Sequence, residues 1–459
     1  MQSKDIVVVG AGLTGLTSAH YLNKTGADFL VLENMDRPGG VIHSSSEDGF
    51  SFENGPNTGV VGTAEVVDLF EELKGLCEIE IAKDSVNKRY VLKDGKWAKL
   101  PSGLIEGIKT PLFTTKDKFR LLLEPFRSRG KNPHETLSEL VLRRMGKSFL
   151  EYAVDPFILG VYAGDPNYLV PKYALPKLYN LEQNFGSFIG GSVKKGFQKK
   201  DEQAKKITRK VFSAKGGLSN LVDALHQSAG IENFIFGVND ISITRDGGKY
   251  HIKGIQKGET IDIMANKVIT TTGAYALKSM LQFVDVEDLS KIASLKYAKV
   301  IEIVIGFKKW TGMPLDGFGG LIPFKENRDV LGYLFLSSFL ENKAPEGGAL
   351  ITIFMGGIRN ERVFELTDGE IREIVKKESL DLLQLNEFNP DLFRINRYAH
   401  AIPQYGADSG IRFETIEKLN KLHPGLIIGG NLRSGIGMAD RVKQGKELAE
   451  EAIYGQTKQ

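Results

Sequence analysis

The sequence predicts an α/β chain whose first domain is a doubly wound sheet assembled from both termini, with further domains inserted between. Three observations predict it. An apolar β-branched run, Ile6–Val9, passes through a glycine turn, Gly10–Gly15, into a segment of helical spacing, Leu16–Asn23, that stops at Gly26. A second buried-type strand, Asp28–Glu33, completes a βαβ unit, and parallel strands joined in that way belong to a doubly wound sheet. Near the other end, the strand Gly425–Gly429, a glycine turn and the helix Arg441–Tyr454 repeat the strand-turn-helix pattern.

Composition narrows the class. The chain has 459 residues, 41% hydrophobic and 25% charged, which suits a soluble globular protein with two or three packed cores and excludes a disordered or fibrous one. Lys and Arg number 60 against 57 Asp and Glu, so the net charge of +3 provides no field that would select nucleic acid. Cys77 is the only cysteine, which rules out an internal disulfide, a CxxC pair and a cysteine-rich metal site; no metal is expected. The first residues run directly into a strand without a secretory pattern, and no window approaches the roughly 18 apolar residues of a spanning helix. The expected location is cytoplasmic, with a membrane touched from one side only.

Between the termini, Thr136-Leu-Ser-Glu139 is a capping box that opens a helix carrying Leu137, Leu140, Val141 and Met145. Lys194–Lys210 is so rich in Lys and Arg that it reads as a solvated loop. A helix over Leu218–Gln227 is followed by strands near Phe234–Thr244, Lys249–Ile255 and Lys267–Thr272. Mostly antiparallel strands are expected from about Val300 to Gly357, then an amphipathic helix near Gly369–Leu385. Leu104–Arg129 mixes Leu121, Leu122, Leu123 and Phe126 with Lys116, Lys118, Arg120, Arg127 and Arg129, a pattern that suits a membrane interface and a packed helical domain alike.

Gly10-Ala11-Gly12-Leu13-Thr14-Gly15 follows a strand and opens a helix, the context in which GxGxxG marks a dinucleotide site. Gly10 permits the tight turn, Gly12 lets backbone approach a pyrophosphate, and Gly15 lets helix and strand pack closely. Glu33, ending the second strand, is placed to accept a hydrogen bond from a ribose hydroxyl. NAD and FAD share this fingerprint. Arg37-Pro-Gly39-Gly40 and Gly55-Pro56-Asn57 add glycines where a chain passes close to a longer cofactor, which points to FAD. Val41 stands where many FAD enzymes carry Arg or Lys, leaving Arg37 as the nearest cation for the pyrophosphate. There is no second GxGxxG unit for NADPH, so the acceptor is expected to be molecular oxygen or a membrane quinone.

Several segments resemble one family. Asp155-Pro-Phe-Ile-Leu-Gly-Val-Tyr-Ala-Gly-Asp-Pro166 is similar to the EPxxxGVYAGDP segment of the oxygen-dependent protoporphyrinogen oxidases, with Asp155 in place of Glu. Glu182-Gln-Asn-Phe-Gly-Ser187, Phe212-Ser-Ala-Lys-Gly-Gly-Leu218, Leu315-Asp-Gly-Phe-Gly-Gly-Leu-Ile-Pro323, Ala401-Ile-Pro-Gln-Tyr405 and Gly430-Asn-Leu-Arg-Ser-Gly-Ile-Gly437 match further family segments in order.

The resemblance implies three parts. These are a Rossmann-type FAD-binding domain (1–75, 205–285 and 395–459), an α+β substrate domain (76–95 and 286–394) and a helical membrane-associating domain (96–204). It implies six-electron oxidation of protoporphyrinogen IX to protoporphyrin IX in haem biosynthesis, with O₂ giving H₂O₂. Oxidation of coproporphyrinogen III is the alternative, and a related FAD amine oxidase or desaturase a more distant one. The chemistry is flavin-centred and no side chain is assigned as catalytic; His43, His134 and His226 sit in ordinary contexts.

FAD is expected at Gly10, Ala11, Gly12, Leu13, Thr14, Gly15, Glu33, Asn34, Arg37, Gly39, Gly40, Gly55, Pro56, Asn57, Thr58, Val238, Gly430, Ile436, Gly437 and Met438. Substrate is expected at Arg89, Asn57, Phe318, Gly319, Leu321 and Met355. Arg89 corresponds to the arginine that holds a propionate, although without the family it reads as a surface charge; Gly317–Gly320 without the family reads as a hairpin turn. Met355 is either slot lining or plain core. Expected partners are the porphyrinogen, O₂, the inner face of the cell membrane, ferrochelatase as recipient of the product, and a second copy in a homodimer.

Overall fold

A computed structural model describes residues 2–197 and 202–455. Its first sheet has seven strands. Phe234–Ile235, Phe29–Leu32, Gln2–Val9 and Glu259–Thr270 lie side by side in parallel, Leu426–Ile428 adds a further parallel strand on Glu259–Thr270, and the antiparallel Lys249–Gln256 and Val238–Asp246 extend the sheet. Both termini therefore contribute to one sheet, as the strand-turn-helix at each end predicts.

The central strands are apolar on both sides because both faces are covered. Ile6 and Val8 enter a core shared with Leu16 of helix Leu13–Lys24, Leu221 of helix Ser219–Ser228 and Val442 of helix Met438–Tyr454. Val7 and Val9 enter the opposite core with Leu277, Leu289 and Leu419 from helices Ala274–Met280, Val286–Ala293 and Ser409–Leu422. Gly445 lets helices Leu13–Lys24 and Met438–Tyr454 close on one another, since a Cβ there would stand 2.6 Å from the Thr14 carbonyl oxygen.

The second sheet runs Leu392–Pro403, Tyr297–Phe307, Ala349–Gly356, Val330–Leu334, Gly319–Leu321, Arg89–Lys93 and Lys96–Lys99, antiparallel except between Gly319–Leu321 and Arg89–Lys93. Residues 96–99 thus belong to this sheet, and the helical region begins after them rather than at residue 96. Strand parity divides the sheet's two faces. Ile301, Ile303, Ile351, Ile353 and Met355 pack under helix Asp368–Leu382, whereas Glu302, Val304, Thr352 and Phe354 occupy the opposite face, toward the first domain.

Every described element from Leu104 to Lys206 is helical. Arg144, fully buried, is paired with Glu124 and, at 2.7 Å, with Glu182. The Glu124 carboxylate also accepts from the Ser187 hydroxyl and the Phe188 and Ile189 amides, which fixes the start of helix Phe188–Phe197. Here the expected solvated loop over Lys194–Lys210 is corrected: that helix and Glu202–Lys206 occupy much of it, because lysines suit helices well and a buried carboxylate holds the first turn. Residues 198–201 of that stretch lie outside the described residues.

The conspicuous motifs around 155–166 and 401–405 form the joint between the three regions. Helix Asp155–Tyr162 ends at Ala163 in a left-handed conformation, and the Gln404 side-chain amide donates to the Tyr162 carbonyl at 2.8 Å. Val170 N–H bonds the Tyr405 carbonyl, while the Tyr405 hydroxyl donates to the Asn431 carbonyl at 2.6 Å. Asp155 bonds the Phe324 amide and pairs with Arg359 at 2.6 Å, tying the helix to the second sheet.

Candidate active site

The glycine loop has the conformation its spacing predicts. Gly10 has φ +104°, open only to glycine, and a Cβ on Gly15 would stand 1.9 Å from the Gly10 carbonyl oxygen. Gly12 differs: nothing lies within 4 Å of its would-be Cβ, and it is the uncapped N-cap of helix Leu13–Lys24. Free N–H groups of a helix start beside open space form an anion cradle of the kind a pyrophosphate occupies.

Around this cradle the expected residues assemble. Glu33 is buried, accepting from Ala11 N–H at 2.6 Å and Met35 N–H at 2.8 Å, with a lone pair free on each oxygen for a ribose hydroxyl. Val238 N–H bonds the Glu33 carbonyl, and the Asn34 side chain donates to Asn239 at 2.6 Å. Gly430 and Gly10 both press on Thr271, which brings the turn carrying Ile436, Gly437 and Met438 beside the first glycine loop. Arg37 donates to the carbonyls of Pro38, Gly40 and Ile42, bracing the loop with three of its bonds.

A continuous path leads from the cradle to the second sheet. Gly39 N–H bonds the Ala11 carbonyl, a Cβ on Gly40 would lie 3.4 Å from Gly12 Cα, and a Cβ on Gly55 (φ +129°) would lie 2.2 Å from the Val41 carbonyl oxygen. Asn57, two residues on, donates one amide hydrogen to the Gly55 carbonyl at 3.0 Å and the other to Glu302 at 2.7 Å, while its oxygen accepts from the Thr352 hydroxyl at 3.1 Å. Both hydrogens are spent within the protein, leaving only the Asn57 oxygen for a further contact. Pro56 and Thr58 flank it, half-buried. The glycines thus mark a line of close backbone contacts from the first loop to the second sheet, and the residues present fit FAD.

At the sheet end, strand pairing sets Arg89 opposite Gly319, and the Arg89 guanidinium lies 5.4 Å from the centre of the Phe318 ring. Gly317–Gly320 is therefore no hairpin turn: Gly319 begins a strand held on both edges. Phe318 is half-buried against Phe339, with ring centres 4.9 Å apart. Arg89 is exposed, and no carboxylate among the described residues pairs with it, whereas neighbouring Lys88 is paired with Asp316. Leu321 is half-buried and fills the space over Gly160, where a Cβ would meet its Cδ2 at 2.3 Å.

Met355 is not brought to this cluster. It is fully buried on the opposite face of the sheet, so of the two readings its position favours plain core; its neighbour Phe354 faces the site side. Glu302, Thr352, Phe354 and Tyr398 were not selected from the sequence. The one available signal was a lone acid in the apolar run Val300-Ile-Glu-Ile-Val-Ile305.

Comparison with known proteins extends the picture. The family described as flavin containing amine oxidoreductase matches residues 13–453. The chain is 30% identical to protoporphyrinogen oxidase 2 of Arabidopsis thaliana, covering 99% of this chain and 94% of that protein. It is 25% identical to coproporphyrinogen III oxidase of Bacillus subtilis, covering 98% of each. Among solved structures, reduced UDP-galactopyranose mutase shares the fold with a TM-score of 0.75 at 18% identity, over 99% of this chain and 96% of that one.

Proposed function

The chain belongs to the flavin containing amine oxidoreductase family and is an FAD-dependent oxidoreductase, and from that premise we propose that it oxidises protoporphyrinogen IX to protoporphyrin IX with O₂ as acceptor. The observation that carries the reading is the pairing of an unneutralised Arg89 with the Phe318 ring at the edge of an apolar face. A porphyrinogen is a large apolar macrocycle rimmed by carboxylates, and it requires that combination of apolar surface and peripheral cation.

FAD, when bound, supplies the two-electron acceptor that dioxygen restores; three rounds remove six electrons and six protons and yield three H₂O₂. The protein's share is positional. Arg89 takes a propionate bidentately, Phe318 and Leu321 offer flat apolar contacts, and the path from Gly12 to Asn57 would hold the cofactor at the same sheet. Porphyrin fluorescence and H₂O₂ measured with purified protein and either porphyrinogen test the proposal; turnover of neither substrate would overturn it.

Coproporphyrinogen III is the second reading. The exposure of Arg89 favours it, because an open rim accommodates two additional carboxylates. The ratio of kcat/KM for the two porphyrinogens decides between them.

A peripheral contact with the membrane belongs to the same proposal. No helix among the described residues is long and apolar enough to cross a membrane. Phe119, Leu122, Leu123 and Phe126 are nevertheless 63%, 59%, 58% and 86% exposed beside Lys116 and Lys118, a combination that can insert into an anionic interface. The protein is expected to float with anionic liposomes, and Phe126→Asp with Leu122→Asp to remain in the soluble fraction. Wild-type protein that stays soluble in the presence of such liposomes would remove the membrane contact. Delivery of product to ferrochelatase and a homodimer are further parts of this proposal, addressed by co-sedimentation and by light scattering.

A further inference from the structure

Tyr275 and His400 have no part in the site described above, yet they meet beside it. Tyr275 belongs to Thr270-Thr-Thr-Gly-Ala-Tyr275, the segment that leaves strand Glu259–Thr270. Two residues of that segment sit at the glycine turns. The Thr271 hydroxyl donates to the Gly10 carbonyl at 2.9 Å, and the Thr272 carbonyl oxygen would stand 2.9 Å from a Cβ on Gly430. The Tyr275 ring folds back over Gly273, where a Cβ would lie 2.3 Å from the ring's Cε1. Its phenol pKa is raised, first by partial burial and then by the Glu33 carboxylate, so the ring lies within reach of the expected ribose contact.

His400 arrives from the second sheet. It immediately precedes Ala401-Ile-Pro-Gln-Tyr405 and sits in a bulge: the pairing passes from Tyr398 with Val300 to Ile402 with Ala298, so strand Leu392–Pro403 carries two residues more than strand Tyr297–Phe307 there. A bulge re-aims the side chains it carries. Here the His400 ring stacks on Tyr275, with centres 4.0 Å apart and 24° between planes. Tyr297 meets both rings edge-on, at 5.7 and 5.6 Å. The Tyr297 hydroxyl accepts from Ala274 N–H at 3.0 Å and donates to the Asn431 side-chain oxygen at 3.2 Å, which ties the cluster to the turn after Gly430.

Domain packing alone does not account for the pair. Rings that hold two domains together are driven out of water, whereas Tyr275 stays 53% exposed and His400 is exposed as well. An aromatic surface left open beside Glu33 suits the adenosine of a dinucleotide, because a base stacks on an aromatic ring without needing a hydrogen-bond match. We propose that Tyr275 is a cofactor contact that packs against the adenosine of FAD, and that His400 is the positioning residue that holds its ring there. The substrate sheet thereby reaches across to close the nucleotide end of the cofactor path. This rests on FAD lying along the Gly10–Gly15 loop and not on the identity of the substrate.

The test is cofactor affinity of the full-length apoprotein, measured by titration with FAD and with FMN, which lacks the adenosine. Tyr275→Ala is expected to weaken FAD about tenfold, the scale of one base–aromatic stack, and to leave FMN and the melting temperature of the apoprotein unchanged. ADP, used as a competitor of FAD, should lose affinity by the same factor. Tyr275→Phe should bind as the wild type does, since the packing surface is kept. His400→Ala should weaken FAD about threefold and add nothing once Tyr275 is Ala, because it acts through that ring. Unchanged FAD affinity in Tyr275→Ala would overturn the proposal, as would a matching loss for FMN or a fall in the apoprotein melting temperature that makes the ring a domain contact only. Fully additive losses in the double variant would remove the positioning role of His400. Should Tyr275→Ala fail to fold, His400→Ala at its exposed site gives the same comparison of FAD with FMN. Tight wild-type FAD binding with unaffected variants removes this contact alone and leaves the cofactor assignment standing.

Discussion

Gly12→Asp should leave a folded protein that purifies without flavin. A Cβ at residue 12 meets no protein atom within 4 Å, and the Gly12 backbone (φ −70°, ψ 178°) is extended and open to any residue, so the apoprotein is expected to tolerate the substitution. The carboxylate would instead occupy the space before the helix start and face the pyrophosphate. Two like charges brought together there cost about 3 kcal/mol or more, over a hundredfold in Kd. Gly15→Ala is the contrasting control: its Cβ would overlap the Gly10 carbonyl, so the loop itself must shift and stability should fall along with flavin. Flavin absorbance per protein, together with the melting temperature of the apo form, separates the two effects. A Gly12→Asp protein retaining its full flavin would sink the placement of the cofactor.

Arg89→Ala should raise KM far more than it lowers kcat, because a propionate is gripped alike in the ground and transition states. The loss of a charged hydrogen bond sets the scale at about 1.5–3 kcal/mol. Arg89→Lys should recover only part of it, since an ammonium cannot reproduce the bidentate fork. Phe318→Ala should depress turnover as well: the ring lies both under Arg89 and against Phe339, and its loss loosens the surface that orients the macrocycle. An unchanged KM in Arg89→Ala with flavin still bound would make the residue a surface charge and the carboxylate-rim placement wrong.

The parts legible in the sequence are those in which local pattern and tertiary role coincide. The Gly10–Gly15 loop needs its glycines for backbone reasons visible within the loop, and the apolar strands announce that both faces are covered. Capping box Thr136/Glu139 is likewise local, with both reciprocal bonds formed. Residues such as Asp155, Gln404 and Tyr405 drew notice through resemblance, but their work as a joint between regions emerges only from bonds spanning hundreds of positions, such as Tyr162 to Gln404.

What remained hidden depended on register. Met355 and Phe354 are adjacent and both apolar, and only the pairing of their strand with Tyr297–Phe307 decides which of them faces the site. Arg89 and Phe318 are distant in sequence, and the parallel pairing of Arg89 with Gly319 makes one site of them. For Glu302 the sequence shows an acid in an apolar strand; its partners arrive from residues 55, 57 and 396, so what it anchors is settled by the packing of three segments. Sequence determines dihedral preferences and the alternation of apolar residues because those act over a few neighbouring positions. Facing and pairing are decided by tertiary structure, since each depends on which distant groups exclude water from the same small volume.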